Sequence, residues 1–178
     1  MSKFVPDFIK QAAVISGSAF VPLIVLIALI SPVLAVDEVY VDGAYGVSGY
    51  DPVAYHTVGR PVPGDDRFTA SHDGITYRFS SATNRATFTA DPASYVPAYG
   101  GFCAYGTSVG RKFSCDPEAW KIVEGTLYLN LNAQVQQTWL EDVPGYIRGA
   151  DHNWPIIKSV ADAQLENMPP DGLKLGAQ

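Results

Sequence analysis

The sequence predicts an α+β fold: two β-hairpins with short helices packed around them, forming a single compact domain after an N-terminal hydrophobic segment. Three observations carry this reading. Asp73-Gly74 between two alternating, β-prone runs is a good hairpin signal, and the runs flanking Glu124-Gly125 make a second hairpin. Capped helical stretches follow each hairpin instead of alternating with single strands. No alternating strand–helix register appears, which argues against a parallel sheet.

In chain order, Val36 to Tyr45 reads as a lead-in segment, with Val39 and Val41 alternating against Tyr40 and Asp42 as an edge strand would. Gly49-Tyr50-Asp51-Pro52 and Pro61-Val62-Pro63-Gly64 are turns, and Val53 to His56 between them is a short strand or a helical turn. Arg67–Ser71 and Ile75–Ser80 form the first hairpin. Phe68 and Ala70 share one face, and Ile75, Tyr77 and Phe79 share one face of the partner strand. Ser80 or Ser81 caps a helix from Ala82 to about Ala90. Asp91-Pro92 ends it, and Pro92 starts a second short helix over Ala93–Val96.

Gly100 and Gly101 then permit a sharp turn before Phe102-Cys103. Asp116 to Ala119 reads as a helical turn. Trp120–Val123 and Thr126–Leu131 make the second hairpin, with Trp120 and Ile122 on one pleat face and Lys121 and Val123 on the other. Asn132 caps a helix from Ala133 to Asp142, with Val135, Trp139 and Leu140 inward. Pro144-Gly145 breaks it, and a last helix runs from Tyr146 to Asn153, ending before Trp154-Pro155. Residues 158–178 read as a loosely packed tail.

The N-terminus has its own logic. Lys3 and Lys10 precede an apolar run from Ala12 to Leu34, and Val33-Leu34-Ala35 offers small or modest residues at its exit. That is the layout of an export signal covering residues 1–35. The run also exceeds the roughly 20 residues that span a bilayer, so an uncleaved membrane anchor over residues 12–34 is the competing reading. Both readings put the domain in the periplasm, free or anchored, because the positive end stays inside.

Charged residues are 17% of the chain and its net charge is −6. The balance stays acidic beyond residue 35, where only Lys3, Lys10 and Asp7 drop out. No clustered Lys and Arg surface remains, so nucleic acid is not an expected partner. No phosphate-cradling glycine loop, G-x-S-x-G or H-E-x-x-H occurs, and no nucleophile–base set is recognisable; an enzyme is not the favoured reading.

Chemistry, if present, concentrates in Tyr95 to Gly106, which holds Tyr95, Tyr99, Phe102, Cys103 and Tyr105 among three glycines. Cys103 has three readings: a buried inert thiol, half of a disulfide with Cys115, or a functional thiol acting in redox or as a soft-metal ligand. The bridge would close a short loop and contribute roughly 3 kcal/mol. Tyr99 and Tyr105 are candidates to shape a small cleft beside the thiol. Of His56, His72 and His152, the last has the best context, because Asp151 could orient its ring. His152 is therefore the candidate second ligand to Cys103, with copper or zinc as the metal.

Gly49-Tyr50-Asp51-Pro52-Val53-Ala54-Tyr55, Tyr77-Arg78-Phe79-Ser80-Ser81, Asn84-Arg85, Phe88, Tyr95-Val96-Pro97, Tyr99-Gly100-Gly101-Phe102-Cys103-Ala104, Asp116-Pro117-Glu118-Ala119-Trp120, Leu127-Tyr128-Leu129-Asn130 and Trp154-Pro155 follow one another in an order that resembles the exported bacterial branch of the YHS domain family. The likeness covers residues 45–157, with 36–44 leading in. Smaller members of the wider family look like metal modules, with Asp-Pro-Val-Cys and an aromatic pair before Cys-Ser-x-x-Cys. This sequence has Ala54, Ser80 and Asn84 at those three thiol positions, so that metal site does not carry over. The exported branch shares Cys103 in Gly-Gly-Phe-Cys-Ala, and its "(seleno)protein" label implies that a reactive chalcogen matters there; Cys115 falls outside the motif. The expected function is an exported YHS-like binding module using Cys103 for a soft metal or thiol redox, a reading carried by the single motif thiol in its glycine- and aromatic-rich loop. The alternative is an accessory subunit of a membrane complex, anchored by residues 12–34.

Overall fold

A computed structural model describes residues 38–167 of the chain. The export or anchor segment and the last residues of the expected tail lie outside them. Among the described residues, no helix is long and apolar enough to cross a membrane.

The α+β architecture is realised as three small antiparallel pairs surrounded by short helices. The lead-in contributes a pair of its own, β1 (Val41–Asp42) with β2 (Tyr45–Gly46). Helix α1 (Pro52–Thr57) takes the stretch that the sequence left between strand and helical turn. Its start is chemically specified: the Asp51 side chain accepts from Val53 N and Ala54 N, and Pro52 sits in the first turn where no donor is needed.

The first hairpin is β3 (Asp65–His72) with β4 (Ile75–Phe79), His72 facing Ile75. Asp73 and Gly74 both take positive φ, 50° and 79°, as a tight two-residue hairpin turn demands. Helix α2 (Ala82–Ala90) begins on Ser81, whose side chain accepts from Asn84 N. Its Phe88 is fully buried and meets the rings of Tyr77 and Phe79, each at 5.0 Å.

The second hairpin is β5 (Asp116–Val123) with β6 (Thr126–Asn130). Here one expectation fails. Asp116–Ala119 is not a helical turn but the opening of β5, because Asp116 pairs with Asn130. The register shifts between Asp116 and Trp120, and Pro117 falls in that irregularity, where the ladder requires no donor from it.

A short helix, α3 (Ala104–Ser108), follows the glycine-rich stretch, and the sequence did not signal it. Helix α4 (Ala133–Glu141) starts on Asn132 as expected, with Trp139 fully buried, but Leu140 is exposed. Helix α5 (Val143–Ile157) starts at Pro144-Gly145, where a break is expected, and runs past the expected stop at Asn153. Pro144 is tolerated in the first turn, and Asp142 accepts from Gly145 N at 3.0 Å. Pro155 lies so close to the end that the helix closes over it, with Lys158 N donating to Trp154 O at 2.9 Å.

The expected loose tail is packed as far as it is described. Helix α6 (Asp162–Glu166) buries Leu165, and the nearly inaccessible Lys112 ammonium bonds Val160 O at 3.0 Å and pairs with Asp162 at 3.2 Å.

Two apolar clusters result. One gathers Val47, Val53, Tyr55, Tyr77, Phe79, Phe88, Cys115, Leu127 and Leu129. The other gathers Tyr99, Ala104, Tyr128, Trp139 and Ala150. The β5–β6 hairpin is their common wall. Leu127, Leu129, Trp120 and Ile122 face the first cluster, and Tyr128 and Val123 face the second, as the two-residue period of a strand requires.

Candidate functional site

The chain reaches the motif thiol through a left-handed corner. Tyr99, Gly100 and Gly101 have φ of 53°, 61° and 83°. Gly100 is needed for a second reason: a Cβ there would overlap the carbonyl oxygen of Glu38, where the lead-in crosses and Tyr40 N donates to Gly100 O at 2.8 Å. The corner delivers Cys103 to the start of α3. Its amide donates to Phe113 O at 3.0 Å, and its sulfur accepts from Gly106 N at 3.4 Å.

Cys103 is completely buried, and burial pushes its thiol above the ordinary value despite the amide contacts that favour the thiolate. Its Sγ–H faces Asn130 Oδ1 at 3.8 Å, and the same oxygen accepts from Tyr105 N at 3.3 Å. Cys115 is nearly as buried and is pushed up to about 12, first by burial and then by Cys103 and Asp116. Both cysteines are free thiols. A reactive thiol needs access and a lowered pKa, and neither cysteine has them.

Cys103 and Tyr105 thus meet through Asn130. Tyr99 takes another role. Its hydroxyl donates to Asp151 Oδ1 at 2.9 Å, and its ring lies against Tyr128 and Trp154 at 5.9 and 6.0 Å. Burial and Asp151 hold its phenol protonated well above the usual range. So the carboxylate expected to orient His152 serves Tyr99, and His152 stands exposed on α5. Among the described residues, no three His, Cys, Asp or Glu side chains gather as a metal site would require. Tyr105 packs edge-on against Tyr146 at 5.3 Å.

The other two histidines are apart. His56 packs against Tyr95 at 5.2 Å, and burial lowers its pKa. His72 ends β3, 3.4 Å from the Asp73 carboxylate.

Two features were missed by sequence reasoning. The first is a buried carboxylate knot. Asp51, with no exposed surface, accepts Val53 N (2.9 Å) and Ala54 N (3.3 Å) on Oδ1. Its Oδ2 accepts Ser80 N (2.8 Å), Ser80 Oγ (2.6 Å) and Asn84 Nδ2 (2.6 Å). Ala54, Ser80 and Asn84, the positions read as standing in place of thiols, therefore do converge in space, but on a carboxylate that their amides and hydroxyl satisfy. The local signal is Asp51-Pro52, an N-cap followed by proline, a pair that also fits the expected turn.

The second is a cleft of about 290 Å³ lined in part by Gly100 of the glycine corner. Gly100, Pro97 and Val96 form its base, with Tyr77 and Trp154 as aromatic walls. Glu38 lines it from the start of the described chain and Lys158 from the end of α5, and His72 and Asp73 line it from the β3–β4 turn. No local sequence pattern announces it, because its lining comes from four separated segments. No family model, curated protein or solved structure matches the chain.

Proposed function

We propose that the chain is an exported, non-catalytic YHS-like binding module whose ligand enters the cleft beside Gly100, and that the Cys103 sulfur takes no direct part. The supporting observation is the contrast between the motif thiol and the cleft lined by Gly100. The thiol is fully sealed and its pKa raised. The open cleft of about 290 Å³ presents a tryptophan, a tyrosine and charged groups of both signs. Small-molecule sites are concave, with aromatic walls and a few convergent polar groups, and this volume lies at the small end of their range. The burial of Cys103 speaks against soft-metal capture or thiol redox at that sulfur.

The reading is tested by amide and indole NMR of the isotope-labelled protein against a library of small molecules spanning positive, negative, zwitterionic and neutral compounds. Saturable shifts should concentrate on Gly100, His72, Asp73, Lys158 and the Trp154 indole. Shifts that concentrate around Cys103 and Asn130 on addition of copper or zinc, with the cleft silent, would return the function to the thiol.

A further inference from the structure

Resting on that reading, we infer that the cleft beside Gly100 selects a small zwitterion, a molecule carrying one ammonium and one carboxylate. Two acids, Glu38 and Asp73, and two bases, Lys158 and His72, line one small cavity. They are arranged as neighbouring acid–base pairs: Lys158 Nζ lies 3.6 Å from Glu38, and His72 Nε2, a cation only when protonated, lies 3.4 Å from Asp73. Both separations exceed the roughly 2.7–2.9 Å of a closed charge-assisted hydrogen bond. The side chains also keep solvent contact, at 43% and 53% for the first pair and 31% and 83% for the second. Each pair therefore retains donors and acceptors that a ligand can use.

The balance of sign then discriminates. A simple anion gains Lys158 or His72 but meets the carboxylates of Glu38 and Asp73. A simple cation gains those carboxylates but meets the Lys158 ammonium. A neutral molecule leaves both pairs unused. A zwitterion gains from both signs, its carboxylate toward the bases and its ammonium toward the acids, with Trp154 able to face the cationic end. Val39, Val96, Pro97 and Trp154 supply apolar surface for a short carbon skeleton. The small volume sets the size of that skeleton at a few carbons.

The test varies charge and skeleton separately: butyrate, n-butylamine and butyramide share the four-carbon chain of 4-aminobutyrate, and glycine and L-valine vary the size of the zwitterion. Labelled full-length protein is titrated at pH 7 with glycine, 4-aminobutyrate and L-valine as zwitterions, and with butyrate, n-butylamine and butyramide as matched controls. Shifts at Gly100, His72, Asp73 and the Trp154 indole are followed. At least one zwitterion should bind about tenfold or more tighter than every control. Lys158→Ala and Asp73→Asn should each weaken that zwitterion about fivefold or more, while the affinity of butyramide stays unchanged. Asp73→Asn keeps a residue that accepts the left-handed turn, so the hairpin is preserved. A control that binds as tightly as the best zwitterion overturns the ligand class and leaves the cleft as the binding site. Zwitterion binding that neither variant weakens overturns the class as well. If the zwitterions and controls leave the cleft resonances unmoved, the zwitterion inference falls, and the wider library then decides the binding-site reading.

Discussion

At the scale of single residues, the two thiols are governed by what surrounds them. Cys103 lies under Asn130 and Phe113, and Cys115 lies inside the larger apolar cluster. A thiol whose folded pKa is raised stabilises the fold while it stays protonated. That contribution is complete below the ordinary thiol value of 9.0 and is lost as pH climbs through the raised one, about 12 for Cys115. At pH 8 the folded protein should therefore give almost no reaction with a disulfide reagent, while the protein in denaturant reacts at both cysteines. Full reaction of the native protein at Cys103 within minutes would contradict the burial. The sequence located the thiol but not its seal. Asn130 and Phe113 lie well along the chain from Cys103, and no local spacing ties them to it.

Between elements, the Asp51 carboxylate holds three pieces of chain at once: the first turn of α1, the end of β4 and the start of α2. Asp51→Ala leaves two backbone donors, the Ser80 amide and hydroxyl and the Asn84 amide without their acceptor. Orphaned buried donors cost about 1–3 kcal/mol each and a lost N-cap about 1 kcal/mol, so the variant should lose at least about 3 kcal/mol. Asp51→Asn, which keeps one acceptor oxygen, should lose less. Urea titrations of both variants decide this, and equal stability of Asp51→Ala and wild type would remove the knot from the account. The elements that were legible share one property: their determinants are adjacent in sequence. Asp73-Gly74, Glu124-Gly125, Ser81 and Asn132 each carry their own turn or cap chemistry. The misread ones depend on distant partners. Asp116–Ala119 became strand because Asn130 lies across from it, and Pro144-Gly145 became a helix start because Asp142 precedes it.

For the whole molecule, the Lys112 ammonium ties the C-terminal described segment to the body. It lies 4.9 Å above the Phe102 ring and bonds the carbonyls of Lys158 and Val160. Asp162, an ion partner of Lys112, is 56% exposed, so removal of the lysine leaves that carboxylate in water instead of stranding it. Lys112→Met should therefore cost about 1–3 kcal/mol rather than abolish folding. Hydrogen exchange should quicken across residues 158–167 while the β3–β4 amides hold their protection. Unchanged exchange in that segment would show that Leu165 and α5 hold it without the lysine. The global arrangement was the least legible part of the chain. The α+β class follows from local patterns, but the cleft and the buried lysine exist only once segments far apart in sequence are brought together.

The shared wall between the two apolar clusters has a consequence for cooperativity. Units that open independently are separated where contacts thin out. Here the divide is a hairpin whose successive residues, Leu127, Tyr128 and Leu129, point alternately into one cluster and the other. Neither cluster can melt without loosening the strand that holds its neighbour. The cleft and the sealed thiol, both reached from one glycine corner, therefore belong to a single unfolding unit.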